Sequence, residues 1–305
     1  MIPLIKTKMP SREKLMPALE EVLYSGYIAQ GETVDAFESS FSKFIGNEFS
    51  VTVNSGTAAL HIALILAGVK PGDEVISTPI TAEPTNTAIT QAGGKIIWAD
   101  IDPNTGNIDP ADVESKITPK TKAIMVVDYA GIPVNITRFQ EIEKKYNIPI
   151  IEDAAHALGA KYQGLRMGNH FQFTVFSFQA IKHLTTVDGG MLAIKNQEQY
   201  EDAKLIRWFG IDKKATRLEN DIKIQGYKYH MNNVNATIGL IQMETLEDII
   251  AKYVGNGRFY DNSLKGVDGV ELLDYYPESE PSYWLYTVKV KDRPGFVKMM
   301  EENGI

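Results

Sequence analysis

Residues 49–66 read Phe49-Ser-Val-Thr-Val-Asn54-Ser55-Gly56-Thr57-Ala-Ala-Leu60-His61-Ile-Ala-Leu-Ile-Leu66. A short β-branched run ends in four small or polar residues, and a long apolar stretch follows. This is the pattern of a strand over Phe49–Val53, a tight turn, and a helix over Thr57–Leu66. The same alternation continues outward. Further strands are expected at Glu74–Ser77, Lys95–Ala99, Ala123–Val127, Ile148–Ile151, Thr174–Phe178 and Met191–Ile194. Helices are expected at Val34–Phe44, Pro84–Gln91, Pro110–Ser115 and Arg138–Tyr146, with Asp109-Pro110 marking a clear helix start. Most of the strands are apolar on both faces, as strands covered by helices on both sides must be. The expected fold class is therefore α/β, a doubly wound, mostly parallel sheet of seven strands. Ligands of such sheets lie beyond the carboxyl ends of the strands.

After Lys195 the pattern changes. Helices are expected over about Gln197–Phe209 and Asn233–Lys252, with a second one through Leu264. Strands follow at Val270–Tyr275 and Tyr283–Val290, then a final helix from Pro294. In the last strand Trp284, Tyr286, Val288 and Val290 would share one face. These elements read as a large α/β domain over residues 1–247 and a smaller α+β C-terminal domain over 248–305, the latter incomplete with only two strands and two helices.

The composition narrows the possible functions. Of the 305 residues 44% are hydrophobic, enough for a sizeable buried core, so disorder is excluded as the main description. With 31 basic against 39 acidic residues the net charge is −8, which argues against nucleic acid and anionic membranes as partners. There is no cysteine, so disulfides, thiolate metal sites and cysteine nucleophiles are excluded, and no metal is expected. The start lacks the apolar core of a signal peptide, and the run Leu60–Val69 is too short to span a bilayer. A soluble, cytoplasmic protein is expected.

Three segments at strand ends have chemical potential. Asn54–Ala59 opens a helix with small residues, which makes either an anion cradle or a plain N-cap on Ser55 or Thr57. It matches neither a Walker loop nor a dinucleotide-binding turn, which leaves a NAD-dependent oxidoreductase remote. Asp153, in Ile151-Glu-Asp-Ala-Ala-His156, either holds a cation or protonated ring nitrogen or caps the next helix. Lys182 lies in the apolar run Thr174-Val-Phe-Ser177-Phe-Gln-Ala-Ile-Lys182-His183, ahead of Gly189-Gly190. It is either a Schiff-base lysine or one that snorkels from a helix flank, and the two glycines read equally as a simple turn into the next strand. Together, an anion cradle, an acid and a lysine on one sheet meet the requirements of pyridoxal phosphate: one site for the phosphate, one for the pyridine nitrogen, one for the aldehyde.

The sequence also resembles a known family, the DegT/StrS-type sugar aminotransferases, which are pyridoxal phosphate enzymes of fold type I. The matching stretches are Gly26–Gly31, Asn54–Leu60, Pro71–Val75, Glu152–Gly159, Phe176–Lys182 and Asp188–Gly190. They run in order from about residue 10 to the end. The resemblance implies that Lys182 binds the cofactor aldehyde and shuttles the proton, that Asp153 pairs with the ring nitrogen, and that His156 sits beside the ring oxygen. Gly56, Thr57 and Ser177 would hold the phosphate, and Lys228 would reach the phosphate of a neighbouring subunit from the stretch Tyr227–Asn233. Ala82 stands where the family has a ring-stacking aromatic, and Lys228 where it commonly has asparagine. Relatives that act as dehydratases carry histidine in place of the lysine. Lys182 therefore favours transamination and leaves His183 a neighbour without a catalytic role. The implied reaction moves an amino group from an amino acid, glutamate, to a nucleotide-linked keto-deoxysugar in a homodimer with shared active sites, for surface polysaccharide or a glycosylated metabolite. The run Phe178–Lys182 is closer to members acting at C4 than at C3. A sugar dehydratase, a cyclitol aminotransferase and a non-catalytic cofactor-binding paralogue are the alternatives. Asn86, Tyr129, Arg207 and Trp208 are further candidates for the pocket, though core packing or ion pairing explains each equally well.

Overall fold

A computed structural model describes residues 6–213, 215–216 and 218–305. Its centre is a seven-stranded sheet. In chain order the elements up to its last strand are α1 (Arg12–Tyr24), α2 (Glu32–Ile45), β1 (Ser50–Val53), α3 (Gly56–Leu66), β2 (Glu74–Ser77), α4 (Glu83–Gln91), β3 (Lys95–Trp98), α5 (Pro110–Ser115), β4 (Thr121–Val127), α6 (Ile136–Tyr146), β5 (Ile150–Asp153), the short hairpin β6 (Lys161–Tyr162) and β7 (Leu165–Arg166), β8 (Phe173–Ser177) and β9 (Gly190–Ile194). The spatial order in the sheet is β1-β9-β8-β5-β4-β2-β3. β9 runs antiparallel to both its neighbours, and the other paired strands are parallel. All seven strands expected from the sequence are present.

The absence of polar alternation in these strands has a direct cause. Successive residues of one strand enter different cores. Ala123 and Met125 of β4 join Val51, Ile62 and Val175 on one side, whereas Ile124 and Val126 join Phe37, Phe41 and Phe176 on the other. Helices cover both faces, so both must be apolar. On the second side a cluster of edge-to-face phenylalanines (Phe37, Phe41, Phe176, Phe178) ties α2 to β8 and to the loop that carries Lys182.

The remaining elements are α7 (Gln197–Ile206), α8 (Asn233–Met243), α9 (Leu246–Leu264), β10 (Val270–Leu272), β11 (Ser279–Glu280), β12 (Val288–Val290) and α10 (Arg293–Glu302). Here several expectations are corrected. The helix expected over 233–252 breaks after Met243, because Glu244 and Thr245 donate only three residues back, to Ile241 and Gln242. The new direction lets α9 bury Leu246, Ile249 and Ile250. The residue-248 boundary expected from the sequence falls in the first turn of α9. α7 stops at Ile206 and not Phe209, whose φ of +55° is left-handed. The strand expected from Tyr283 begins only at Val288, so Trp284 and Tyr286 share no sheet face with Val288 and Val290. β10 ends at Leu272, and Asp274 N–H turns away to the carbonyl of Asn104. α1, the β6–β7 hairpin and the pairing of β11 with β6 have no counterpart in the sequence reading.

Candidate active site

The carboxyl end of β1 delivers Ser55 in an extended conformation, and its hydroxyl accepts the Ala58 N–H (3.1 Å) to start α3. The N–H groups of Gly56 and Thr57 then lie at the positive end of an eleven-residue helix. Two glycines keep this spot open. A Cβ on Gly56 would lie 3.1 Å from that of Ser177 at the end of β8, and a Cβ on Gly190 would lie 2.8 Å from the Gly56 nitrogen. Ser55 realises the N-cap reading, and the Gly56 and Thr57 N–H groups stand where the cradle reading places them.

Asp153 ends β5 and is buried. Its carboxylate accepts the hydroxyl of Thr85 (2.7 Å) and the N–H of Ala155 (3.1 Å). Burial pushes its pKa up, while the Thr85 and Ala155 donors and the Lys182 ammonium pull it down. Lys182 lies in the loop between β8 and β9, half-buried, and its amine is pushed down to about 8 by burial, with Asp153 opposing. The Lys182 Nζ sits 3.8 Å from the ring centroid of Trp284. The same indole stacks on His156, with centroids 4.0 Å apart and planes 20° from parallel. Burial is the main cause that holds the His156 pKa down at about 3, so the ring is neutral, and its buried Nδ1 has no hydrogen-bond partner among the described residues.

Gly56, Thr57, Asp153, His156, Ser177 and Lys182 all line one cavity of about 190 Å³. Ala82 is also in its wall, so the ring there is imidazole and not an aromatic from the α4 turn. Lys228 is not in this wall. It is exposed, and its carbonyl accepts Asn54 Nδ2 (3.2 Å). A larger cleft of about 1170 Å³ lies between α2 and the end of α7, where Arg207 and Trp208 stand, and none of the expected cofactor residues lines it. Arg207 is spent on a buried ion pair with Glu38 (2.5 Å) and on the Thr52 carbonyl (2.9 Å), the bland alternative for that residue. Asn86 holds Ser77 and Thr78, and the Tyr129 N–H donates to Asn107; neither side chain lines the smaller cavity. His183 is buried with Nε2 3.2 Å from the Ser282 carbonyl, its pKa held down at about 4 by burial, and does not line the cavity. The sequence reading missed two residues. Thr85 was detectable, because it follows Ala82 by three residues in the first turn of α4 and so shares its face. Trp284 gave no signal, being distant in sequence and assigned to a strand.

The wall fits pyridoxal phosphate on its own chemistry. It offers a helix N-terminus with room for an anion, a buried carboxylate for a protonated ring nitrogen, an amine with its pKa lowered to about 8 for an aldehyde, and an unsatisfied imidazole nitrogen. Comparisons with known proteins agree. The crystal structure of AtS13 from Actinomadura melliaura superposes with a TM-score of 0.96 at 43% identity, covering 100% of this chain and 84% of that one. The sugar aminotransferase CalS13 from Micromonospora echinospora gives 0.95 at 38% identity, over 100% and 85%. The spore coat polysaccharide biosynthesis protein SpsC of Bacillus subtilis is 32% identical over 288 residues, 92% of this chain and 74% of SpsC. A putative sugar aminotransferase of Streptococcus pneumoniae, solved in its PLP and PMP forms, matches at 29% identity with a TM-score of 0.91 over 100% of this chain and 83% and 82% of those chains. The profile of the DegT/DnrJ/EryC1/StrS aminotransferase family matches residues 10–305. With this fold, this cavity and these relatives, the chain belongs to the DegT/DnrJ/EryC1/StrS aminotransferase family and is a pyridoxal phosphate-dependent sugar aminotransferase of fold type I.

Proposed function

We propose that the enzyme moves the amino group of glutamate onto C4 of a nucleotide-linked keto-deoxysugar, for amino-sugar biosynthesis serving a surface polysaccharide or a glycosylated metabolite. The observation that carries this reading is the Lys182 amine beside Asp153 and His156 in one cavity. When bound, the cofactor supplies a carbonyl that accepts the amino group and a ring that takes up the electrons left behind when a Cα proton departs. Lys182 binds that carbonyl at rest. Once displaced by the amino acid, its neutral amine removes the Cα proton as a general base and later returns one to the new amine carbon. The Asp153 carboxylate, steadied by Thr85 and Ala155, keeps a proton on the ring nitrogen. Neutral His156 would stand beside the cofactor's ring oxygen, and Gly56, Thr57 and Ser177 would hold its phosphate. Glutamate leaves as the 2-oxo acid, and the sugar ketone becomes a primary amine.

The enzyme works as a homodimer in this reading. Lys228 of each subunit reaches the phosphate in the other; its exposed side chain, away from its own cavity, is consistent with that reach. Residues 248–305 belong to a second, smaller domain. The test is an absorption spectrum of the loaded protein before and after L-glutamate, followed by a nucleotide-linked 4-keto sugar. Glutamate is expected to bleach the visible band, and the sugar to restore it with an amine-bearing product in the mass spectrum. Product that has lost water without gaining nitrogen would overturn the proposal in favour of a dehydratase.

A further inference from the structure

Residues 279–286 carry none of the roles assigned above, yet they are tied to the site from several directions. β11 pairs with β6. The Ser282 N–H then donates to the Gly131 carbonyl (3.0 Å), the Leu285 N–H donates to Ala130 (3.2 Å), and the Ser282 carbonyl lies 3.2 Å from His183 Nε2. The segment passes through gaps that only glycine leaves. A Cβ on Gly131 (φ +92°) would lie 2.9 Å from Ser282 Oγ and 3.0 Å from Trp284 N, and one on Gly257 would lie 2.3 Å from the Tyr283 ring. Tyr283 itself sits at φ +50°, an uncommon conformation for an aromatic residue. On the far side, the hydroxyls of Tyr275, Tyr283 and Tyr286 all donate to the carboxylate of Asp261 in α9, at 3.1, 2.8 and 2.8 Å. Between these anchors stands Trp284. It is buried, its indole N–H donates to the Ile181 carbonyl (2.9 Å), its ring lies flat on His156, and its face meets the Lys182 ammonium.

We propose that Trp284 is a positioning residue that holds Lys182 and His156 together for the cofactor, and that the Asp261–tyrosine cluster aims it. The inference rests on Lys182 being the residue that binds the cofactor. The indole does three things that one smaller side chain does not. Its face attracts the lysine ammonium, its stacking fixes the plane of the imidazole, and its N–H pins the backbone next to the lysine. Ala82 gives the wall no aromatic ring, so among the described lining residues the imidazole of His156 is the one aromatic ring, and this stack sets its plane. The strain and the glycine gaps in the strap are then understandable as the geometry needed to deliver a tryptophan from the C-terminal part of the chain to the carboxyl ends of the strands.

The test uses the full-length chain stripped and reloaded with pyridoxal phosphate. Affinity is read from the visible band, and attachment from borohydride trapping followed by peptide mass spectrometry at Lys182. Trp284→Leu is expected to weaken cofactor affinity about tenfold and slow trapping to a similar degree, with the circular dichroism of the sheet unchanged. Trp284→Phe, which keeps the stack and the cation contact, should restore affinity to within about threefold of the native protein. A merely structural role predicts a lower melting temperature for both variants with unchanged trapping, and that result would overturn the proposal. If Trp284→Leu fails to fold, Tyr286→Phe decides, since it removes one hydroxyl from the distant cluster; capture weakened about two- to threefold supports the proposal and unchanged capture overturns it. A native protein that traps the cofactor elsewhere than Lys182 would sink the site assignment itself, whereas trapping at Lys182 that ignores Trp284 would sink only this inference.

Discussion

Two parts of the chain build this active site, and they do so by different means. The carboxyl ends of the sheet strands contribute Gly56, Asp153, Ser177 and Lys182, at positions that follow from local patterning. The strap over residues 279–286 contributes Trp284 through an irregular path with one left-handed tyrosine, anchored to Gly131 and Ala130 on one side and to Asp261 on the other. The strand-end set is chemically explicit: an acid, an amine and a helix N-terminus announce what they do. The strap places none of its own polar groups in the cavity wall. Its residues act on the chemistry through packing, which is why an amino-acid sequence shows the first part and conceals the second.

The largest effect should come from the strand ends. Lys182→Ala is expected to abolish borohydride-stable attachment of pyridoxal phosphate and to cut turnover by about 10³-fold or more. In the native protein, attachment should speed up about tenfold per pH unit up to about pH 8 and then level off, because only the neutral amine attacks and its pKa lies near 8. A capture rate that is flat below pH 8 would break the reading of Lys182 as a buried, depressed amine.

Gly131→Ala tests the strap. The new Cβ meets His156 O at 2.9 Å on a residue at φ +92°, so a loss of about 2 kcal/mol or more in urea unfolding is expected, together with weaker cofactor capture. Loss of stability with intact capture would mean that the strap only closes the fold. Thr85→Val sharpens the contrast from the other direction. It removes the hydroxyl that stabilises ionised Asp153, so the Asp153 pKa should climb further, and the acidic limb of the rate profile should move to higher pH with about a tenfold loss in the glutamate half-reaction.

The smallest effect is expected at Glu152, one residue before Asp153 and on the other face of β5. It is fully buried, accepts only the Thr174 hydroxyl among side chains, and is pushed up to about 7 by burial. Its folded pKa lies above the ordinary value near 4.5, so the native state keeps a proton that the unfolded chain has lost. Stability therefore falls as pH rises from about 4.5 to about 7 and is then constant. Glu152→Gln should remove that slope and gain about 1–2 kcal/mol above pH 7 without altering capture. A loss of capture would show that the two faces of β5 are coupled.

The legible features were those in which a few neighbouring residues suffice. Seven strands and the helices between them were readable because both faces of the sheet are buried and every strand is a short apolar run closed by polar residues. The cavity residues were readable because each follows the end of a strand by no more than five positions, from Asp153 and Ser177 at the ends of β5 and β8 themselves to Lys182 five residues past β8. The C-terminal elements were misread for the opposite reason. Tyr283–Val290 has the alternation of a strand, but Ser282 and Leu285 find their backbone partners at Gly131 and Ala130, and Asp261 draws Tyr283 and Tyr286 to α9. The break at Glu244–Thr245 was hidden because nothing local forbids a helix there; burial of Leu246, Ile249 and Ile250 decides it.

Local chemistry, then, is enough to set the α/β class, the strand ends and the reacting groups, since β-propensity, helix caps and the cost of burying an amine or carboxylate operate over a few residues. Which rings meet is a different matter. That Trp284 lies on His156 and faces Lys182 depends on contacts between residues more than a hundred positions apart, and on glycines at 131 and 257 that leave room for them. Such contacts are chosen by the packing of the whole chain, because only there do shape, strain and burial act together on one side chain.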